Sequence, residues 1–127
     1  PDNLHYSKED EWITLQNDEA TIGITDYAQK QLHEVVYVEI QKEGTEIKQF
    51  QTMGTVESVK SVSDIFSPIT GKITKVNTEL SDSPELLNQD PYGKGWLAKV
   101  NITDPRKDLV KLLTPQQYAE YIKSLEE

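Results

Sequence analysis

The chain has 127 residues, with a hydrophobic fraction of 35% and a mean hydropathy of −0.63. These values describe a soluble globular chain that is long enough to bury a core in one domain. Its net charge is −9, Arg106 is the one arginine and no basic cluster is present, so nucleic-acid binding is not expected. An acidic surface instead suits docking to basic patches on partner proteins.

No apolar run approaches membrane-spanning length and no signal-peptide pattern is visible, so we expect no membrane association. The sequence begins at Pro1, which leaves open whether an initiator Met or a transit peptide preceded it.

The composition also limits the chemistry. The chain has no cysteine, which excludes disulfides, thiolate metal sites and cysteine catalysis. The two histidines, His5 and His33, are far apart and lack metal-ligand spacing, so we expect no metal site. Redox or acyl-transfer chemistry would therefore need an attached cofactor.

Short alternating runs predict a mainly β protein, after a polar, extended segment at residues 1–10. The runs cover residues 11–16, 20–25, 35–40, 71–76 and 96–102. Many short strands with sparse helix are typical of a β-sandwich or flattened barrel.

Two short helices are predicted between the strands. Asp26 with Gln29 three residues later forms a capping-box pattern, which predicts a helix over residues 26–32. Ser83 followed by Pro84 predicts one or two further helical turns through Leu87.

The C-terminal part is predicted to be helical. Asp104-Pro105 opens one helix and Thr114-Pro115 opens another. The second helix carries an apolar stripe of Tyr118, Tyr121, Ile122 and Leu125. We therefore expect a β domain over residues 1–102, with residues 103–127 as helices packed on it.

The remaining segment, residues 52–68, predicts a β-hairpin with Lys60 at or beside its tip. Two-residue hairpin turns usually contain glycine because the turn needs positive φ. No glycine lies between Gly54 and Gly71, and a bulky Lys60 in such a turn indicates that its side chain is functional. The alternative is an ordinary solvated lysine, since polar residues dominate turns and the chain has twelve lysines.

Several motifs, in order along nearly the whole chain, resemble the glycine cleavage system H protein family. They are Tyr6, Glu11-Trp12, Gly23-Ile24-Thr25-Asp26-Tyr27-Ala28-Gln29, Val35-Val36-Tyr37-Val38-Glu39, Glu57-Ser58-Val59-Lys60-Ser61-Val62-Ser63-Asp64, Ser67-Pro68-Ile69-Thr70-Gly71 and Pro91-Tyr92-Gly93-Lys94-Gly95-Trp96. The resemblance implies a lipoyl/biotinyl-type barrel-sandwich hybrid, mainly β, with short helices and a helical C-terminal extension.

The resemblance implies that lipoate is attached through an amide to Lys60. It also implies that Glu57 and Gly71 help the lipoate-attaching enzymes to recognise the hairpin. The protein would be a non-catalytic carrier, cytoplasmic in a bacterium or archaeon and in the mitochondrial matrix in a eukaryote.

The implied function is a shuttle between three enzymes. The P protein, a pyridoxal-phosphate glycine decarboxylase, loads an aminomethyl group onto the lipoyl arm. The T protein, an aminomethyltransferase, passes the methylene group to tetrahydrofolate and releases ammonia. The L protein, dihydrolipoamide dehydrogenase, reoxidises the arm. A chain without cysteine agrees with this, because the redox sulfurs would belong to the cofactor.

The loaded arm ends in a cationic amine, which in this family folds back into a polar cleft. Matching positions predict that Glu11, Gln31 and Asp64 lie near this cleft; the alternative is a solvated acidic face. Two residues depart from the family pattern, Asp10 where His is common and His33 where Gly is frequent.

Other classes remain as alternatives. A biotin carrier normally has methionines beside its lysine, whereas Val59 and Ser61 flank Lys60. A lipoyl domain of a 2-oxoacid dehydrogenase would normally sit among linkers in a longer chain. An unmodified interaction module and an H-like lipoate donor also remain. The mass of the native protein would distinguish the unmodified module, and a transfer assay would distinguish the donor.

Overall fold

A computed structural model describes residues 4–126. The strands are β1 (His5–Tyr6), β2 (Glu11–Gln16), β3 (Glu19–Ile24), β4 (Val35–Ile40), β5 (Glu46–Ile47), β6 (Thr52–Ser58), β7 (Val62–Phe66), β8 (Gly71–Val76) and β9 (Ala98–Ile102). The helices are α1 (Asp26–Leu32), α2 (Glu79–Asp82), α3 (Leu86–Gln89), α4 (Pro105–Leu109) and α5 (Pro115–Glu126). None of the helices in the described part of the chain is long and apolar enough to cross a membrane.

The strands form two antiparallel sheets. One has six strands in the order β1-β2-β3-β9-β8-β5, and the other has three in the order β4-β6-β7. The β6–β7 hairpin pairs Glu57 with Val62 next to its tip and Gly54 with Ile65 toward its base. The predicted mainly β fold with a C-terminal helix is therefore confirmed.

The main core lies between the two sheets. Alternate residues of the strands point inward, so the two sheets bury branched side chains against each other. The fully buried members with the largest side chains include Ile13, Ile22, Met53, Ile65, Ile69, Ile73, Leu97 and Val100. This core fixes the β6–β7 hairpin against the larger sheet.

A second, aromatic cluster attaches α5 to the sheet. The rings of Tyr6 and Tyr118 stack with centroids 4.4 Å apart. Trp12 packs in the same cluster and donates from Nε1 to the carbonyl of Pro91 at 3.0 Å. Of the predicted apolar stripe on α5, Tyr118 is buried, Tyr121 and Ile122 are partly buried against the cluster, and Leu125 is 53% exposed. The stripe therefore contacts the cluster over residues 118–122.

The start of α5 follows the prediction. Thr114 Oγ1 accepts from the backbone N–H of Gln117 at 3.2 Å, and Gln117 Oε1 accepts from the N–H of Thr114 at 2.9 Å. This reciprocal pair satisfies two backbone donors that the helix itself cannot. The cap predicted for α4 is also present, because Asp104 Oδ1 accepts from the N–H of Lys107 at 3.3 Å.

Three local predictions were wrong in detail. The cap of α1 is Thr25, whose hydroxyl accepts from the N–H of Ala28, while Asp26 is already helical. Ser83 ends α2 instead of opening a helix, because its N–H donates to the carbonyl of Glu79 at 2.8 Å. The last strand begins at Ala98 rather than at residue 96.

The short helix α2, which the sequence did not predict, is held by contacts of Asn77 with a distant segment. The side chain of Asn77 accepts from the N–H of Glu79 at 3.2 Å, and its amide donates to the carbonyls of Lys94 and Trp96, each at 2.8 Å. Asn77 therefore joins the start of α2 to the segment before β9. Those long-range partners are invisible in a local sequence pattern.

Candidate functional site

Lys60 lies at the tip of the β6–β7 hairpin and is exposed. The hydroxyl of Ser58 accepts from the backbone N–H groups of Lys60 at 3.3 Å and of Ser61 at 3.2 Å. The N–H of Ser58 donates to the carbonyl of Ser61 at 2.8 Å. The three tip residues 59–61 all have negative φ, so a serine-capped turn replaces the glycine turn that hairpins usually need.

The surface around the tip is apolar as well as acidic. Val59 and Val62, on either side of Lys60, are 60% and 63% exposed. Glu57 is exposed and pairs with Val62 across the hairpin. The N–H of Val59 also donates to the carbonyl of Glu34 at 3.0 Å, which anchors the tip to the segment before β4.

A cleft of about 200 Å³ opens between β2, α1 and β7. Its lining combines four carboxylates and one amide with apolar walls, and contains no lysine. The lining residues are Glu9, Asp10, Glu11, Ile24, Ala28, Gln31, Leu32, Val56, Ser63, Asp64 and Ile65. The structure thus brings Glu11, Gln31 and Asp64 together in one cleft.

Glu11 differs from the other two because it is only 2% exposed. Its carboxylate accepts from the hydroxyl of Ser7 at 2.5 Å and from the N–H of Phe66 at 3.3 Å. Burial raises the pKa of Glu11 to about 8, and these two hydrogen bonds oppose the rise only in part. A carboxyl with that pKa is mostly protonated at pH 7.

Gln31 and Asp64 are exposed at the opening of the cleft. Asp64 lies on β7, four residues after Lys60, and Gln31 lies on α1. Of the three predicted residues, Glu11 is therefore a buried carboxyl group inside the cleft, and Gln31 and Asp64 are exposed polar groups at its opening. Apolar side chains such as Ile24 and Val56 form its floor.

Asp10 connects the cleft to the C-terminal helix. The hydroxyl of Tyr118 donates to Asp10 Oδ1 at 2.9 Å and lies 2.6 Å from Thr25 Oγ1. The carbonyl of Asp10 accepts from the N–H of Thr25, which caps α1. Burial raises the pKa of Asp10 above its ordinary value. The sequence departure at Asp10 therefore forms a contact that joins β2, α1 and α5.

His33 ends α1 with φ 65°, the left-handed conformation that glycine adopts most easily. Asn88 compensates by donating from Nδ2 to the carbonyl of His33 at 2.5 Å and by accepting from the N–H of Val35 at 2.9 Å. The second departure from the family pattern thus lies at a helix end that is held by the side chain of Asn88.

Gly71 lies away from the hairpin in sequence and in the fold. It is the first residue of β8 in the six-stranded sheet, where it pairs with Ile47 and Ile102. A Cβ at this position would collide with the carbonyl of Asn101 and lie 2.8 Å from Val100 Cγ1. Close packing of β8 on β9 is therefore enough to require glycine here.

Sequence reasoning missed several residues of the cleft. The sequence patterns do not indicate that the hydroxyl of Ser7 binds the carboxyl group of Glu11, or that Glu9 and Asp10 line the cleft. The signal for Asp10 was its departure from the family pattern. Nothing in the local sequence marks Ser7, because its role depends on the turn that brings it back onto Glu11.

Comparison with known proteins places this geometry in a family. A profile described as "Glycine cleavage H-protein" matches residues 4–125. The chain belongs to the glycine cleavage H-protein family. The hairpin, the two-sheet core and the terminal helix are those of a lipoyl-domain-type barrel sandwich.

The chain is similar to named relatives over nearly its full length. It is 48% identical to a glycine cleavage system H protein of Staphylococcus epidermidis over 122 residues, covering 96% of each chain. It is 45% identical to a probable glycine cleavage system H protein of Aeropyrum pernix over 125 residues, covering 98% of this chain and 87% of the relative. The crystal structure of a glycine cleavage system H protein from Mycobacterium marinum matches with a TM-score of 0.87 at 32% identity, over 100% of this chain and 99% of that one.

Proposed function

We propose that Lys60 carries lipoate, and that the chain shuttles the aminomethyl group of glycine from the P protein to the T protein, with the L protein reoxidising the arm. The observation that carries this proposal is the position of Lys60 and the cleft on one hairpin. The tip residues 59–61 present the lysine, and Ser63, Asp64 and Ile65 of the adjoining strand line the cleft.

The residues at the tip fit acylation of the lysine. Lys60 is exposed, and among the described residues the one ion pair is Lys30–Asp26, so no carboxylate holds the ε-amine of Lys60. Turn residues held by Ser58 present this amine away from the sheet. The lipoyl group would supply the disulfide chemistry that a chain without cysteine cannot supply.

The cleft fits the cationic amine of a loaded arm. Asp64 offers a negative charge at the opening and Gln31 an amide, while the apolar floor limits the access of water. Glu11 would ionise when an ammonium group comes close, because an opposite charge favours the charged form of a carboxyl group. Loading the cleft would therefore release a proton from Glu11.

The hairpin fits recognition by the lipoate-attaching enzymes. Glu57 is exposed three residues before Lys60, and Val59 and Val62 provide apolar contact area on both sides. Gly71 is buried in the other sheet, so its contribution would be indirect, through the packing of that sheet against the hairpin. The chain would act as a carrier without catalysing a step itself.

The named relatives come from bacteria and an archaeon, which supports a cytoplasmic carrier. The test uses protein from its native host. Intact mass spectrometry should find one added lipoyl group, on the peptide that contains Lys60. The lipoylated protein should then support glycine–bicarbonate exchange by the P protein. A biotinyl mass, lipoate on another lysine or no modification would refute the attachment. Lipoylated protein that supports no exchange but transfers its lipoate to other proteins would identify a lipoate donor.

A further inference from the structure

One carboxyl group of the cleft belongs to a residue whose backbone is held on both sides. Asp10 lies on the turn before β2 with φ 68°, a left-handed conformation that aspartate tolerates better than most residues. Its N–H donates to the carbonyl of Ser7 at 3.2 Å, and its carbonyl accepts from the N–H of Thr25 at 3.0 Å. These bonds fix the point from which the Asp10 side chain enters the lining of the cleft.

The side chain of Asp10 is held by the C-terminal helix. The hydroxyl of Tyr118, a residue that is 5% exposed, donates to Asp10 Oδ1 at 2.9 Å. The same hydroxyl lies 2.6 Å from Thr25 Oγ1, which accepts from the N–H of Ala28 at 3.1 Å. Since Tyr118 gives its one proton to Asp10, Thr25 donates to the oxygen of Tyr118. All of these hydrogen bonds run toward Asp10, which favours its charged form.

The other three carboxyl groups of the lining are placed differently. Burial raises the pKa of Glu11 to about 8, so this group is mostly protonated at pH 7. Glu9 and Asp64 are exposed, so water weakens their attraction for a cation. Of the four, only Asp10 is partly buried. Burial raises the pKa of Asp10 too, and the hydrogen bond from Tyr118 opposes this rise.

No cation of the described chain balances Asp10. Among the described residues the one ion pair is Lys30–Asp26, and the lining of the cleft contains no lysine. A partly buried carboxylate without a cation is stabilised when a cation binds beside it. The same lining includes the apolar side chains of Ile24 and Val56, which suit the alkyl and thioether part of an arm with a cationic end.

We propose that the carboxylate of Asp10 binds the ammonium group of the loaded arm, and that Tyr118 is a positioning residue that holds Asp10 for this contact. This inference rests on the proposed function. Because the empty arm carries no ammonium group, Asp10 would hold the loaded arm in the cleft in preference to the empty arm.

The main test compares loaded wild-type carrier with loaded Asp10→Asn. Asparagine tolerates the left-handed backbone, and its oxygen can still accept from Tyr118, so the fold should be kept. The variant should lose its aminomethyl group spontaneously at least about tenfold faster than wild type, as for loss of a charge-assisted hydrogen bond. Glu9→Gln is the matched control, because it removes an equal charge from an exposed position of the same lining. The control should change the rate by at most about twofold.

Tyr118→Phe tests the positioning role. It removes the hydroxyl and keeps the ring that stacks on Tyr6. Release should be faster than in wild type by about threefold, because Asp10 loses one hydrogen bond and keeps its charge. Combined with Asp10→Asn, the same change should add nothing further, because both substitutions act on one contact. Additive rates in the combined variant would show that Tyr118 acts on the cleft by another route.

Carbon-13 NMR of the carboxyl groups gives a readout that does not depend on transfer or release. The side chain of Asp10 should titrate at a lower pH in the loaded wild-type carrier than in the empty one, because a nearby ammonium group favours the charged carboxylate. Glu9 is an internal control in the same spectra, and its titration should change much less.

Three results would overturn the role of Asp10 alone, given a wild-type carrier that loads normally. They are equal release rates in Asp10→Asn and wild type, equal acceleration by Asp10→Asn and Glu9→Gln, and an Asp10 carboxyl group that titrates at the same pH in the empty and loaded forms. A lipoylated wild-type carrier that the P protein cannot load would refute the proposed function, and this inference with it.

Discussion

Glu11→Gln should change how the stability of the protein depends on pH. Glu11 is 2% exposed, and burial raises its pKa to about 8 in the folded chain. In the unfolded chain its pKa returns to the ordinary value of 4.5. Between these values the folded chain binds a proton that the unfolded chain does not. The contribution of Glu11 is therefore fully present below pH 4.5, and is lost as the pH rises through about 8.

The size of this effect follows from the two pKa values. They differ by about 3.5 units (8 − 4.5), and each unit corresponds to about 1.4 kcal/mol. The free energy of unfolding should therefore fall by on the order of 3–4 kcal/mol as the pH rises from 5 to 9. The upper figure assumes that the folded structure does not relax around the charged carboxylate.

Glutamine removes the titration and keeps the shape. Its oxygen can accept from the N–H of Phe66, and its amide can donate to the hydroxyl of Ser7. The variant should therefore be close to wild type at pH 5 and clearly more stable than wild type at pH 9. Asp10 also has a raised pKa, but it is present in both proteins and cancels in the comparison.

The measurement is urea unfolding of unlipoylated protein at five values between pH 5 and 9. Glu39→Gln is the matched control, because it removes an equal charge from an exposed position on β4. We expect the control to run parallel to wild type, and the Glu11→Gln curve to separate from both as the pH rises. Parallel curves for all three proteins would show that Glu11 does not bind its proton more tightly in the folded chain.

Three further predictions concern single positions. Lys60→Arg should melt like wild type, because replacing one exposed cationic side chain by another changes stability by under ~0.5 kcal/mol. It should carry no lipoyl mass, because the guanidinium is a poor nucleophile. Lipoylated Lys60→Arg would refute the attachment site. Asp64→Asn should speed spontaneous loss of the aminomethyl group by up to about fivefold, because an exposed ion pair with the arm's amine would contribute about 0–1 kcal/mol. Equal release rates in the variant and wild type would show that Asp64 does not protect the loaded arm. Gly71→Ala should lose about 1–3 kcal/mol in denaturant unfolding, because its Cβ meets the carbonyl of Asn101; an unchanged midpoint would show that β8 can shift.

The hairpin could be predicted from sequence because its signals are local. Valines 56, 59 and 62, the missing glycine and the flanking Ser67-Pro68 all lie within one short segment. The helix caps of α4 and α5 were predicted for the same reason, since each uses residues three apart. The conformation of the tip itself depends on the hydroxyl of Ser58, which caps the turn and which the strand pattern does not predict.

The cleft was predicted less completely because it depends on contacts that are distant in sequence. The family pattern selected Glu11, Gln31 and Asp64, and the structure brings all three to one cleft. The sequence did not reveal that Glu11 is buried with a raised pKa, because the residues that enclose it lie on other elements. Ser7 comes from the preceding turn, and Phe66 from β7.

Phe50 and Lys60 show the same principle at opposite ends of one hairpin. Both occupy turns where glycine is expected; Lys60 is exposed, whereas Phe50 is 45% exposed. The sequence identified Lys60 as a candidate site because its turn lies between two clearly predicted strands. Phe50 lies in a loop between β5 and β6, where only its φ of 68° identifies the strained position. The cleft lies along the hairpin between these ends.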